Sequence, residues 1–347
     1  MVLISGPVSM YYLKKNKKRI YLFGDEHYST DGVCNKKSID IIDFLDNIFK
    51  NSNSKNSNKS NKSNKNNNKN NNNNQKNKID FYLESQYSDL EKYTKEKKLS
   101  FLNNIKYKVF GDLSHSYLLR IINFYKLKGC FMKKEKVCRE NYPNVNFHSA
   151  DFRRSVKCKY TKMMEDYTNN IFLLLISLNY GININNYASK LIKFDKYEKV
   201  RKYIMLSLKC NTIKTQLKKC DKKFQSLITK YIKTQFKNYD LVYKNIYNEN
   251  INSIIKGIKN KKKMFSISEM SFSIQSILGM VISMNSIVMD IYLLSKLFKE
   301  DKNLIFVYAG NAHIKNYVGF LQKYMKFKLV SGGVAHTKRC IEVKKLY

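Results

Sequence analysis

Five short runs, RIYLFG at 19–24, IDFYLES at 79–85, NVNFHSAD at 144–151, NLIFVYAG at 303–310 and FKLVSGG at 327–333, are apolar and rich in β-branched and aromatic residues. Helical periodicity fills much of the chain between them. That alternation restricts the chain to an α/β architecture with a mostly parallel central sheet flanked by helices. Near-continuous apolar stretches such as LIFVYA suit strands covered on both faces.

Two segments interrupt this pattern. Residues 51–78 contain no apolar side chain, cannot offset their ordering entropy by burial, and read as a disordered Asn/Lys/Ser insertion. They follow SIDIIDFLDNIFK, an amphipathic helix with Ser38 as its expected N-cap. The interval 157–264 carries 24 Lys or Arg against 7 Asp or Glu and shows helix-like spacing of Ile, Leu, Tyr and Phe, so it reads as a large basic helical insertion. The Met-rich stretch 266–300 follows as one or two buried helices, its methionines serving as core filler. The expected division is therefore 1–156 and 265–347 as the two parts of the α/β core, with 157–264 between them.

The formal charge of +38 comes with abundant Lys, Asn, Ile, Tyr and Phe, a bias that AT-rich coding produces without selection for a partner. The lysines read first as solvated, which leaves weak, non-specific nucleic-acid binding as the expectation for the basic helices. Seven cysteines at irregular spacing with no CxxC predict neither a disulfide framework nor a zinc knuckle and suit a reducing compartment. The N-terminal apolar run is too short for a signal peptide, and no stretch reaches the uninterrupted length of a transmembrane segment. A soluble intracellular protein is expected.

Chemistry concentrates where strands end. RIYLFG runs into Gly24-Asp25-Glu26-His27, and LIFVYAG runs into Gly310-Asn311-Ala312-His313, so the same Gly-x-x-His spacing follows two expected strands. Ligands of open α/β sheets bind beyond the carboxyl ends of the strands. Glu84 ends FYLES, and Asp151 and Arg153 follow NVNFHSA. If these strands are parallel neighbours, two imidazoles, several carboxylates and a guanidinium share one rim.

Such a set has two uses. His27, Glu84 and His313 can hold a divalent metal that activates water, or a carboxylate can orient a histidine that acts as general base. Glu84 alone also suits a helix N-terminus, where the dipole favours a carboxylate. Asp151 and Arg153 read equally as a loop-fixing ion pair, and His148, inside a strand, reads as core. Asp290, on an otherwise apolar helix, needs a buried partner, for which Arg153 is a candidate.

Paired Gly-x-x-His motifs at strand ends, a Glu ending an intervening strand, and the C-terminal order strand, Gly-x-x-His, helix, strand resemble the superfamily that joins erythromycin esterases, the ChaN haem-binding lipoproteins and the TIKI/TraB proteins. The pattern GPVSMYYL, IYLFGDEHYS, FYLES, HSADFR, VMDIYLLSKLF and VYAGNAHIKNY is similar to uncharacterised proteins of large DNA viruses. The resemblance spans 1–50, 79–155 and 280–335 and marks His27, Glu84 and His313. It implies a hydrolase of esterase or protease type, metal-assisted or not, or a haem-binding protein using Tyr or His ligation. A viral origin would place the chain in the host cytoplasm or the virion.

Deleting residues 51–78 is expected to leave the melting temperature within a few degrees of the parent, because loop-closure cost grows slowly with length. A large drop in a thermal melt would show that the tract contributes ordered structure.

Overall fold

The computed structural model describes residues 2–26, 34, 37–52, 78–84, 117–131, 136–151, 158–179, 191–259, 267–298, 303–335 and 339–343. His27, Arg153 and tract residues 53–77 lie outside them. The element order is β1 (Val2–Ser5), β2 (Ser9–Lys15), β3 (Lys18–Asp25), β4 (Ile39–Asp40), α1 (Ile41–Asn51), β5 (Ile79–Leu83), α2 (Tyr117–Leu127), α3 (Lys136–Asn141) and β6 (Val145–Ser149). Next come α4 (Lys159–Asn179), α5 (Tyr197–Leu208), α6 (Asn211–Lys218), α7 (Lys222–Lys259) and α8 (Ile267–Leu297). The chain closes with β7 (Leu304–Gly310), α9 (Asn311–Lys323), β8 (Lys328–Val334) and β9 (Cys340–Val343).

Two compact units result, residues 1–151 with 297–347 and residues 152–296. These limits differ from those read in the sequence, because α8 groups with the helices that precede it. The first unit holds a six-stranded sheet of order β6-β5-β7-β3-β2-β8 and a three-stranded sheet of order β4-β1-β9. Strands β6, β5, β7 and β3 are mutually parallel, while β2 and β8 run antiparallel to their neighbours. The fold is thus mixed α/β with a mostly parallel six-stranded sheet flanked by helices.

All five expected strands form. The sequence reading passed over β2, which pairs with β3 across the two-residue turn Asn16-Lys17. Asn16 takes φ +53, a left-handed conformation that asparagine tolerates in hairpin turns.

Alternation along the strands decides which face each helix covers. Tyr21, Phe23, Phe81, Phe147, Phe306 and Tyr308 point to one face and form a core with residues of α1 and α2. Phe49 on α1 centres it, with ring centroids 5.2–6.4 Å from Phe81, Tyr125, Tyr142, Phe147 and Phe306. Helix α9 packs against β2, β3 and β7. Helix α1 starts later than expected: Asp40, not Ser38, is its N-cap and accepts from the Ile42 N–H at 2.8 Å. Ile39 and Asp40 are drawn into pairing with β1, which moves the cap two residues on. At the other end Asn51 belongs to the helix and Ser52 caps it, so a deletion of the polar tract should begin at residue 53.

In the second unit α8 is a single helix, largely buried through residues such as Ile274, Ile277, Val281, Met284, Val288 and Leu294, with Phe272 and Ile282 exposed on one face of its first half. It is, among the described residues, the one helix long and apolar enough to cross a membrane, and most of that length is buried. Asp290 on it is 1% exposed. Tyr239 of α7 faces it, its hydroxyl pKa raised first by burial and then by the Asp290 charge. The expected partner, Arg153, lies outside the described residues.

The cysteine expectation is corrected. Six of the seven pair, Cys34 with Cys340, Cys130 with Cys138 and Cys158 with Cys210, while Cys220 is buried as a thiol that donates to the Ser295 carbonyl. The irregular spacing concealed this, since two of the pairs join residues far apart in sequence.

Two buried hydroxyls, on Tyr308 and Tyr125, have no hydrogen-bond partner among the described residues. Burial holds both well above the ordinary tyrosine pKa; for Tyr308 the Asp25 charge adds to the effect and Arg339 opposes it. Such groups stay neutral when folded but ionise in the unfolded chain near pH 10, so their contribution is intact below that pH and lost as pH rises beyond it. Tyr308→Phe is expected to leave stability at pH 7 unchanged or raised by up to about 1 kcal/mol. It should also blunt the loss above pH 10, as thermal melts at the two pH values will show.

Candidate functional site

Register brings the strand ends together. Asp25 of β3 pairs with Gly310 of β7, Leu83 of β5 pairs with Tyr308 of β7, and Leu83 also pairs with Ser149 of β6. The residues that follow these positions, Glu26, Asn311, Glu84 and Ala150, therefore leave the sheet along one carboxyl-end rim in strand order. This is where an open parallel sheet presents its ligand sites.

Glu84 and His313 meet on that rim. Glu84 is the first residue beyond β5, and its N–H donates to the Tyr308 carbonyl at 3.0 Å. One carboxylate oxygen, Oε2, accepts from the Gly310 N–H at 2.6 Å. The other, Oε1, lies 3.6 Å from His313 Nε2, and the two side chains are 12% and 11% exposed. The spacing has a mechanical meaning here: Gly310 is the N-cap of α9, and His313 is its third helical residue. The glutamate satisfies the cap N–H and sits at the positive end of the helix dipole. It plays the helix-terminus role for α9, delivered from a neighbouring strand.

Gly24 explains itself by contact. A Cβ there would come within 2.2 Å of Ser9 Oγ and 2.7 Å of Asn311 Oδ1, the two atoms of a 2.6 Å hydrogen bond that ties β2 to the start of α9. The motif glycine is thus needed for close packing of strand and helix.

Asp25 does different work from that expected of a supporting acid. It is 1% exposed. Its Oδ1 accepts from Arg339 Nη1 at 2.7 Å and its Oδ2 from the Leu118 N–H at 3.2 Å. Arg339 also donates to the Gly6 carbonyl at 2.9 Å through Nη1 and to the Glu26 carbonyl through Nη2. Its guanidinium lies over the Tyr117 ring, 5.4 Å from the centroid. Two unusual backbones make this fit: Arg339 at φ +59, and Gly6 at φ +128, where a Cβ would strike Ile41 and Tyr117. Asp25 is a clamp, and the side chain of Glu26 is exposed. Sequence reasoning missed Arg339 altogether; the signal was Asp25 itself, a carboxylate ending a buried strand that required a cation.

Asp151 is buried two residues past the end of β6, on the same rim. His148 is not a plain core residue. Its Nε2 lies 2.7 Å from Asp80 Oδ1, and its ring stacks on Tyr82 with centroids 4.6 Å apart. Tyr82 and His148 are register partners, and Asp80 stands two residues earlier on the same face of β5. An Asp inside the otherwise apolar IDFYL was the available clue.

Among the described residues no three His, Cys, Asp or Glu side chains gather as a metal site. Glu84 and His313 supply two ligand types, and His27 lies outside the described residues.

Arg339→Ala is expected to cost about 3–5 kcal/mol, because it strands the buried Asp25 charge, whereas replacing the pair together by apolar residues should recover much of that loss. Gly24→Ala is expected to cost about 1–3 kcal/mol through overpacking against Ser9 and Asn311. Denaturant titrations of the three variants check both figures.

No family model matches the chain, and no curated protein or solved structure matches it either.

Proposed function

We propose that the chain is a hydrolase whose acid–base pair is His313 and Glu84. The observation that carries this is the approach of Glu84 Oε1 to His313 Nε2 at 3.6 Å, with the second carboxylate oxygen held by the Gly310 N–H. A carboxylate anchored in this way places a negative charge against the imidazole and orients the ring. The imidazole so oriented is suited to take a proton from water as it attacks a carbonyl or related centre. The position of the pair, beyond the ends of parallel strands and at a helix N-terminus, also suits a substrate carrying developing negative charge.

The superfamily resemblance belongs to the same proposal, since Glu84 and His313 are two of its three marked residues. His27, the third, would join them either as a second base or as a metal ligand. A divalent metal held there would supply activated water.

A panel of chromogenic esters and amides tests the reading. His313→Ala and Glu84→Gln are each expected to lower kcat/KM by about 10²-fold or more while leaving the melting temperature within a few degrees, the usual scale for losing a positioned acid–base group. Elemental analysis of the purified protein beside a His27→Ala, His313→Ala double variant assigns the metal. Full activity in His313→Ala would overturn the proposal.

A further inference from the structure

We propose that the Cys34–Cys340 disulfide is a redox control on the Glu84–His313 site, acting through Arg339; this rests on the hydrolase reading above. Cys34 and Cys340 are 306 residues apart in sequence, with Cα atoms 5.2 Å apart. Cys340 directly follows Arg339 and opens β9, where it pairs with Ser5 of β1. The bond therefore tethers the segment that carries Arg339 to residue 34, which follows β3 in the chain.

A continuous set of contacts leads from that tether to the site. Arg339 holds Asp25 and the Glu26 carbonyl. Asp25 is the register partner of Gly310, and the Gly310 N–H fixes Glu84 against His313. With the bond closed, Arg339 is kept in its left-handed conformation at φ +59 on the carboxylate. With it open, the four residues of β9 and the contacts of Arg339 with Asp25, Gly6, Glu26 and Tyr117 hold the segment without a covalent tether. Its departure would leave Asp25 charged, buried and without its guanidinium, so the end of β3 loosens beside Gly310. The bonds Cys130–Cys138 and Cys158–Cys210 lie elsewhere in the chain.

The chemistry is dithiol exchange. A reductant thiolate attacks Sγ of Cys340, the more exposed residue of the pair. The S–S bond breaks, and its electron pair leaves on Cys34 Sγ, which takes a proton. The second reductant thiol then displaces Cys340, which leaves as a thiol, and the reductant departs as its own disulfide. Two electrons and two protons reach the protein.

The test follows amide hydrogen exchange at Leu118 and Gly310, the two N–H groups that report on Asp25 and Glu84, alongside hydrolysis of the ester panel. Three forms of the full chain are compared: oxidised wild type, wild type with dithiothreitol, and Cys34→Ser, Cys340→Ser. Opening the bond is expected to speed exchange at both amides by about tenfold and to lower turnover by a similar factor. The double variant should stay at the reduced level whatever the reductant. Should that variant fail to fold, stepwise reduction of wild type with thiol counting by mass spectrometry gives the same comparison. Unchanged exchange at Leu118 and Gly310 after the bond opens overturns the proposal, as does finding both cysteines as thiols in protein purified without reductant. Faster exchange with no hydrolysis by any form supports the coupling and overturns the hydrolase reading alone.

Discussion

A carboxylate that ends a buried strand has to be neutralised, and much of the first unit is arranged around that requirement. Asp25 is reached by a guanidinium from near the far end of the sequence, by an amide from the start of α2, and through Arg339 by the carbonyls of Gly6 and Glu26. Removing an unpaired charge from water costs several kcal/mol, so these elements cannot separate independently. The three-stranded sheet places Arg339 there: β9 pairs with β1, and β1 leads into Gly6, whose carbonyl receives the guanidinium.

The Glu84–His313 pair is a product of adjacency. Strand β7 lies between β5 and β3, so the residue after β5 falls beside the first turn of the helix that follows β7. The cap N–H of that helix captures one oxygen of Glu84, and the histidine one turn in meets the other. A short sequence spacing thus acquires its geometry from three separate segments of chain. Gly24 contributes by allowing Ser9 and Asn311 to meet over β3, which seats the helix.

How much of this was legible follows from where each constraint acts. Strands β3, β5 and β7 were readable because burial on both faces writes continuous apolar runs, and Glu84 and His313 were readable because they stand where such runs stop. Parallel pairing of β5, β7 and β3 made them neighbours. Arg339 was not readable, since its partner is 314 residues away and no local pattern surrounds it. The cysteine pairs were hidden for the same reason. Ser38 was misread as a cap because propensity alone cannot show that Ile39 and Asp40 are claimed by β1. The Asp80–His148 pair was misjudged because a strand's two faces were given one environment, when His148 points to the side on which Tyr82 and Asp80 also lie.

The central position of β7 sets an order of events for synthesis. Arg19 pairs with Leu304, so β3 emerges from the ribosome 285 residues before its parallel neighbour. At ordinary elongation rates that interval is about 15–60 s. Throughout it β3 and β5 each have an unfilled hydrogen-bonding edge facing the gap that β7 will occupy, both strands strongly apolar, and such edges invite pairing with other chains. The second unit, residues 152–296, is made entirely within this interval. The nascent chain therefore carries an incomplete sheet until β7 is made, which makes its yield sensitive to chaperone supply and to the speed at which β7 follows the second unit.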